Sequence, residues 1–230
     1  MPTLVAPQES QPSLSAQVFE RLRSDIIGCR LQPDARLRLE ELRERYGAGA
    51  SPIREALMRL EVEGLVVLEQ NRGFRVSPIS RAHLVDLSAN RIEIEGLALT
   101  WAIERGGVAW EAEILGAFHR LSRQGKSEHG APTRIAEAWK REHRGFHRAL
   151  VMGSGSPMLI SICEALFDQG ERYVALSIAR RAEPRDDVAE HKRIMEAVLA
   201  RDLDGTLAAN RDHIERTTEK VLASIEALAA

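Results

Sequence analysis

The stretch SPIREALMRLEVEGLVVLEQNRGFRV, residues 51–76, decides the fold class. Ser51 is a good N-cap, Pro52 suits a first helical position, and Glu55 stands near the reciprocal capping position. A helix is predicted from there to Gly64. A strand is predicted over Leu65–Leu68, a turn over Glu69–Gly73, and a second strand over Phe74–Ser77, closed by Pro78. Asn71 and Gly73 in the turn favour a hairpin, because both tolerate a left-handed backbone.

Upstream, LSAQVFERLRSDIIGC at 14–29 places Leu14, Val18, Leu22, Ile26 and Ile27 on one helical face. Pro33 breaks that helix, and LQPDARLRL returns as a short extended piece. A second helix over Glu40–Tyr46 buries Leu42 and Tyr46, and Gly47–Ala50 form a tight turn. Three short helices followed by a hairpin describe a winged helix-turn-helix over 14–78. The first two helices hold the third so that its outer face enters a major groove, with the wing alongside. The candidate DNA-binding residues are Arg36, Arg38, Ser51, Arg54, Arg59, Arg72, Gly73 and Arg75.

Bulk charge does not announce this role. The 230-residue chain has a formal net charge of −2, with 28 Arg and only 4 Lys among its 32 basic residues. Residues 1–78 carry 11 basic and 11 acidic side chains, so a phosphate-binding face must come from placement, not excess. Arg suits bidentate contacts to phosphate and carboxylate better than Lys does. The composition, 44% hydrophobic and 29% charged, is that of a soluble globular protein. No apolar run approaches the ~18 residues of a membrane span. Met1–Ser13 reads as a polar, disordered leader without signal-peptide character, and Cys29 and Cys163 read as buried free thiols, so a cytoplasmic location is expected.

From Arg81 onward no strand-like alternation is apparent. Helices are predicted at 81–105, 109–124, 132–152, 157–179, 184–201 and 203–228. The expected fold class is therefore mainly α: the winged unit, then an all-α bundle of six to seven helices over 79–230.

Four of seven histidines fall in a suggestive arrangement. His143 and His147 are four apart in REHRGFHRAL and share a helix face, while His191 and His213 belong to two later helices. Imidazoles suit a borderline divalent ion, zinc or nickel. His83, His119 and His129 lack such company and read as surface or helix-terminal. Arg91 and Glu95 are also four apart, either as a surface ion pair or with Arg91 facing inward to clamp a carboxylate.

SPIREALMRLEVEGLV followed by NRGFRV resembles the helix-turn-helix signature of the GntR family of bacterial transcription regulators. NRIEIEG, HRGFHRAL, EHKRIMEAV and the later DHI resemble the helical FCD effector domain of its FadR subfamily. The resemblance spans about residues 14–222 and implies a homodimer on double-stranded DNA with a palindromic operator, retuned by a small carboxylate. It also implies a divalent metal held by an Asp and three His. His147, His191 and His213 match those His, while His143 stands at the Asp position. Four imidazoles bring no charge, so such an ion keeps its full charge and favours an anionic effector. Arg91 matches a family Arg that contacts the effector carboxylate. Many relatives carry Ser-Arg-Thr where this chain has Gly49, Ala50 and Ser51, so the family's guanine-reading Arg is Ala50 here. Arg54 remains to address either a base edge or a phosphate.

The reading is a ligand-responsive DNA-binding regulator, a repressor, and not an enzyme. One alternative is a regulator whose bundle only dimerises and binds no metal. Another is a metal-dependent hydrolase, but it lacks a catalytic motif, and Glu142 and Glu190 precede candidate ligands by one position, pointing about 100° away.

Overall fold

The computed structural model describes residues 13–128, 131–179 and 187–226. The expected leader (but for Ser13), His129 and the predicted helix positions 184–186 and 227–228 lie outside the described residues. Two compact units divide the chain near Pro78.

The first unit contains α1 (Leu14–Ile27), β1 (Arg36–Leu37), α2 (Leu39–Tyr46), α3 (Ala50–Val62), β2 (Val66–Glu69) and β3 (Gly73–Val76). Its core is built from Val18, Leu22 and Ile26 of α1, Leu42 of α2 and Ile53, Leu57 and Leu60 of α3, all buried. The periodic apolar positions of α1 are thus the ones it buries. Gly47 closes α2 in the left-handed conformation, with φ +63°, and donates its N–H to the Arg43 carbonyl. The extended piece joins the wing: β1 pairs antiparallel with β3, which pairs antiparallel with β2, in the order β1-β3-β2.

One local expectation is corrected. The N-cap of α3 is Gly49, and Ser51 lies inside the first turn. Pro52 is tolerated there because the first helical N–H groups have no intrahelical acceptor. Glu55 closes no capping box; its Oε1 accepts from Ser15 Oγ at 2.9 Å.

The second unit comprises α4 (Arg81–Arg105), α5 (Val108–Ser122), β4 (Ser127–Glu128), β5 (Ala131–Ile135), α6 (Glu137–Met152), α7 (Pro157–Ala179), α8 (Val188–Leu199) and α9 (Leu203–Glu226). Ser80 caps α4, its Oγ accepting from the His83 amide at 3.1 Å. Leu99, Ile114, Phe146, Leu150, Ile194 and Val198 form the centre of the bundle core.

The second unit is the expected helical bundle, with one addition: β4 and β5 pair antiparallel ahead of α6. Residues 132–135 were expected in that helix. They lie instead in β5, whose pairing with β4 takes up this stretch of backbone, and the helix starts at Glu137. No helix among the described residues is long and apolar enough to cross a membrane.

Candidate functional site

Arg36, Arg38, Arg54, Met58, Leu68, Arg72 and Gly73 line one groove of the first unit. Arg36 opens β1, Arg38 precedes α2, Arg54 projects from α3, and Arg72 sits at the wing tip. All four are exposed. Arg38 meets Glu41 at 3.2 Å, with both side chains more than half exposed. No ion pair engages Arg36, Arg54 or Arg72 among the described residues. Ser51 is exposed in the first turn of α3.

Arg59 and Arg75 are placed differently. The Arg59 guanidinium lies 3.8 Å from the Phe19 ring centre, stacking α3 on α1. Arg75 is paired with Asp34 at 2.9 Å and with Glu69 at 3.1 Å. Arg54 and Arg59 are five positions apart, about 140° around a helix, so they do not share a face.

In the second unit the four histidines converge. His143 and His147 come from α6, His191 from α8 and His213 from α9, and none is more than 8% exposed. The Nε2 atoms of His143 and His191 are 3.1 Å apart, those of His147 and His143 3.2 Å, and those of His147 and His191 3.3 Å. One nitrogen from each of the four lies within 4.8 Å of the others. Trp139, one turn before His143, stacks on its ring at 4.2 Å, and the Phe167 ring lies 4.9 Å from His147.

These residues fit a metal ion. Nitrogens about 2.0–2.1 Å from a tetrahedral ion stand about 3.3–3.4 Å from one another. Burial, followed by the neighbouring imidazoles and Arg91, holds His147 well below the ordinary histidine range, so it is a neutral donor. Behind the cluster, His213 Nδ1 is 2.9 Å from Glu190 Oε2, His143 Nδ1 is 3.6 Å from Glu171 Oε1, and His191 Nδ1 is 3.9 Å from Asp187 Oδ1.

A pocket of about 610 Å³, counting its open mouth, borders His143 and His213. Arg91, Lys126, Trp139, Glu171, Asp187 and Lys220 also line it. Arg91 points inward, its Nε donating to Glu95 Oε1 at 2.7 Å. Lys126 donates to Asp187 at 2.6 Å and lies 4.5 Å from the Trp139 ring centre. Burial pushes the Asp187 carboxyl up, but Lys126 and the imidazoles more than offset this and hold it below the ordinary carboxylate range. Burial likewise opposes ionisation of Glu171, and His143, Lys126 and Arg91 outweigh it.

Sequence reasoning missed Lys126, Trp139, Glu171, Asp187 and Glu190. Trp139 was legible, since 139, 143 and 147 share a face at four-residue spacing. Glu190 was not: helix geometry turns it away from its neighbour His191, but only the packing of α8 on α9 brings it to His213. Lys126 and Glu171 carried no local signal. Glu142 stands apart, paired with Arg120 at 3.3 Å and Arg141 at 3.0 Å. His83 contacts the Tyr173 hydroxyl at 2.7 Å near the start of α4, and His119 is exposed in the last turn of α5.

Comparison with known proteins matches both units. Residues 14–76 match the gntR family of bacterial regulatory proteins, and residues 86–216 match the FCD domain. The chain belongs to the GntR family. It is 36% identical over 203 residues to the HTH-type transcriptional repressor GlaR of Escherichia coli (strain K12), covering 85% of this chain and 90% of that protein. It is 34% identical over 209 residues to the HTH-type transcriptional regulator BphR of Paraburkholderia xenovorans (strain LB400), covering 91% and 85%. The solved structure of E. coli McbR/YncC shares the fold, with a TM-score of 0.74 at 23% identity over 93% of this chain and 99% of that one. This GntR chain is a transcription regulator with a DNA-binding helix-turn-helix and an FCD domain, and not an enzyme.

Proposed function

We propose that this GntR protein is a cytoplasmic repressor of the FadR subfamily that senses a small carboxylate beside a metal ion in its FCD domain. The observation that carries the reading is the convergence of three imidazole Nε2 atoms within 3.3 Å, next to a pocket containing Arg91. His143, His147, His191 and His213 would hold the ion, zinc or nickel by the softness of imidazole. Such an ion supplies a Lewis-acidic point for a carboxylate oxygen. Arg91 offers the matching guanidinium fork, oriented by Glu95, and Lys220 adds positive charge to the wall. A bundle that only dimerised would leave these buried imidazoles and the pocket unexplained.

The DNA-facing surface is the groove of Arg36, Arg38, Arg54 and Arg72, with Ser51 and Gly73 beside them. Arg59 and Arg75 serve this surface by holding α3 on α1 and bracing β3. Two such surfaces in a homodimer would read a palindromic operator. The relative named as a repressor supports that sign of regulation. A coupling of about 1–3 kcal/mol between ligand and DNA sites is enough to switch occupancy.

The test is a thermal-shift screen of small carboxylates with and without chelator. A stabilising hit that vanishes with chelator is expected. A protein free of metal and indifferent to every carboxylate would sink the sensor reading.

A further inference from the structure

Four neutral imidazoles around a divalent ion bring no charge to offset it, and all four are buried. Buried charge of that kind is tolerated only when opposite charge stands close. Glu190 on α8 is 8% exposed, and its Oε2 meets His213 Nδ1 on α9 at 2.9 Å. Glu171 on α7 is similarly enclosed, with Oε1 3.6 Å from His143 Nδ1. That Nδ1 is buried and makes no hydrogen bond among the described residues, so a shift of under an ångström would give it an acceptor. Asp187 is already held by Lys126 at 2.6 Å, and its Oδ1 lies 3.9 Å from His191 Nδ1.

We propose that Glu190 and Glu171 are positioning residues of the metal centre, fixing the protons of His213 and His143 on Nδ1 and returning negative charge to a ligand set that has none. An imidazole that donates through Nδ1 presents its Nε2 lone pair, and its basicity rises with a carboxylate behind it. The two carboxylates come from different helices and act on different ligands, so each supports the other independently. This inference rests on the metal reading above.

The experiment is zinc competition against a chromophoric chelator, using the full-length protein, E190Q, E171Q and E190D, with melting curves of the metal-free and zinc-loaded forms. E190Q and E171Q should each lower zinc affinity about 10–100-fold, while the metal-free melting temperature stays close to that of the parent. E190D should recover part of the affinity, because it restores the charge. A purely structural role predicts the opposite pattern, with a lowered metal-free melting temperature and unchanged zinc affinity, and would overturn the proposal. If E190Q does not fold, E171Q decides on a separate helix. A parent protein that binds no zinc defeats the metal centre and this inference together. Zinc-binding parent and variants of equal affinity defeat only the outer carboxylates.

Discussion

Arg91 Nε donates to Glu95 Oε1 at 2.7 Å, one turn further along α4, with both side chains almost wholly buried. The guanidinium also lies 5.4 Å from the Phe167 ring centre. Room for it exists because Gly170 has no side chain; a Cβ there would stand 2.8 Å from Arg91 Nη1. A spacing that on an exposed helix is worth a few tenths of a kcal/mol is here an enclosed ion pair.

Arg91→Ala should therefore destabilise the FCD domain by about 3 kcal/mol, because Glu95 is left as a buried, unpaired charge. The paired change R91Q/E95Q removes both charges and should recover most of that loss. Both proteins should lose carboxylate binding. Thermal melts and calorimetry separate the two effects, and equal ligand affinity in R91Q/E95Q would remove Arg91 from the binding pocket.

Arg54 and Arg59 should behave oppositely. Arg54→Ala should weaken operator binding by about 1–3 kcal/mol if it reads a base, or lower the salt slope by about 0.9 if it meets a phosphate. Arg59→Ala removes the guanidinium from Phe19 and should cost about 0.5–1 kcal/mol of stability with little change in DNA affinity. Gel-shift titrations at two salt concentrations, run beside melting curves, check the contrast.

Replacing both His147 and His213 by Ala should abolish metal content measured on the purified protein. Chelation of the parent should lower its melting temperature, because an ion bound only by the folded state stabilises by about 2.7 kcal/mol at a hundred times its dissociation constant. Stoichiometric metal retained by the double variant would refute the site as described.

Acid should act on the winged unit through Asp25. Burial pushes its carboxyl up, but the Tyr46 hydroxyl at 2.6 Å, Arg30 at 2.5 Å and Arg45 at 2.8 Å outweigh burial and hold it below the ordinary range. A lowered folded-state value means stability that is present above the unfolded pKa of about 3.9 and lost as pH falls below it. Asp25→Asn should flatten that loss. Melting curves from pH 2 to 6 for both proteins test it, and identical acid profiles would exclude Asp25.

Cys163 should be inert. Burial, then Glu95, raises its thiol to about 12, so almost no thiolate forms at neutral pH. Labelling with a thiol reagent should be slow in the native state and rapid after denaturation; fast native labelling at Cys163, located by mass spectrometry, would contradict this.

Local pattern alone determined much of this protein. The apolar spacing of Leu14, Val18, Leu22 and Ile26, the Asn71–Gly73 turn, and the stop at Pro78 are read from near neighbours, because helix and hairpin periodicity is a property of adjacent residues. The shared face of His143 and His147 is legible for the same reason. The small hairpin before α6 was not, since its two short strands lack the alternation that longer strands display. Tertiary structure alone decided which arginines share the groove, and it turned Arg59 onto Phe19. It also decided that His191 and His213, 22 positions apart in the chain, meet His143 and His147, and that Glu190 stands behind them. Such convergence depends on how α6, α8 and α9 pack their buried faces, a long-range choice that no window of sequence contains.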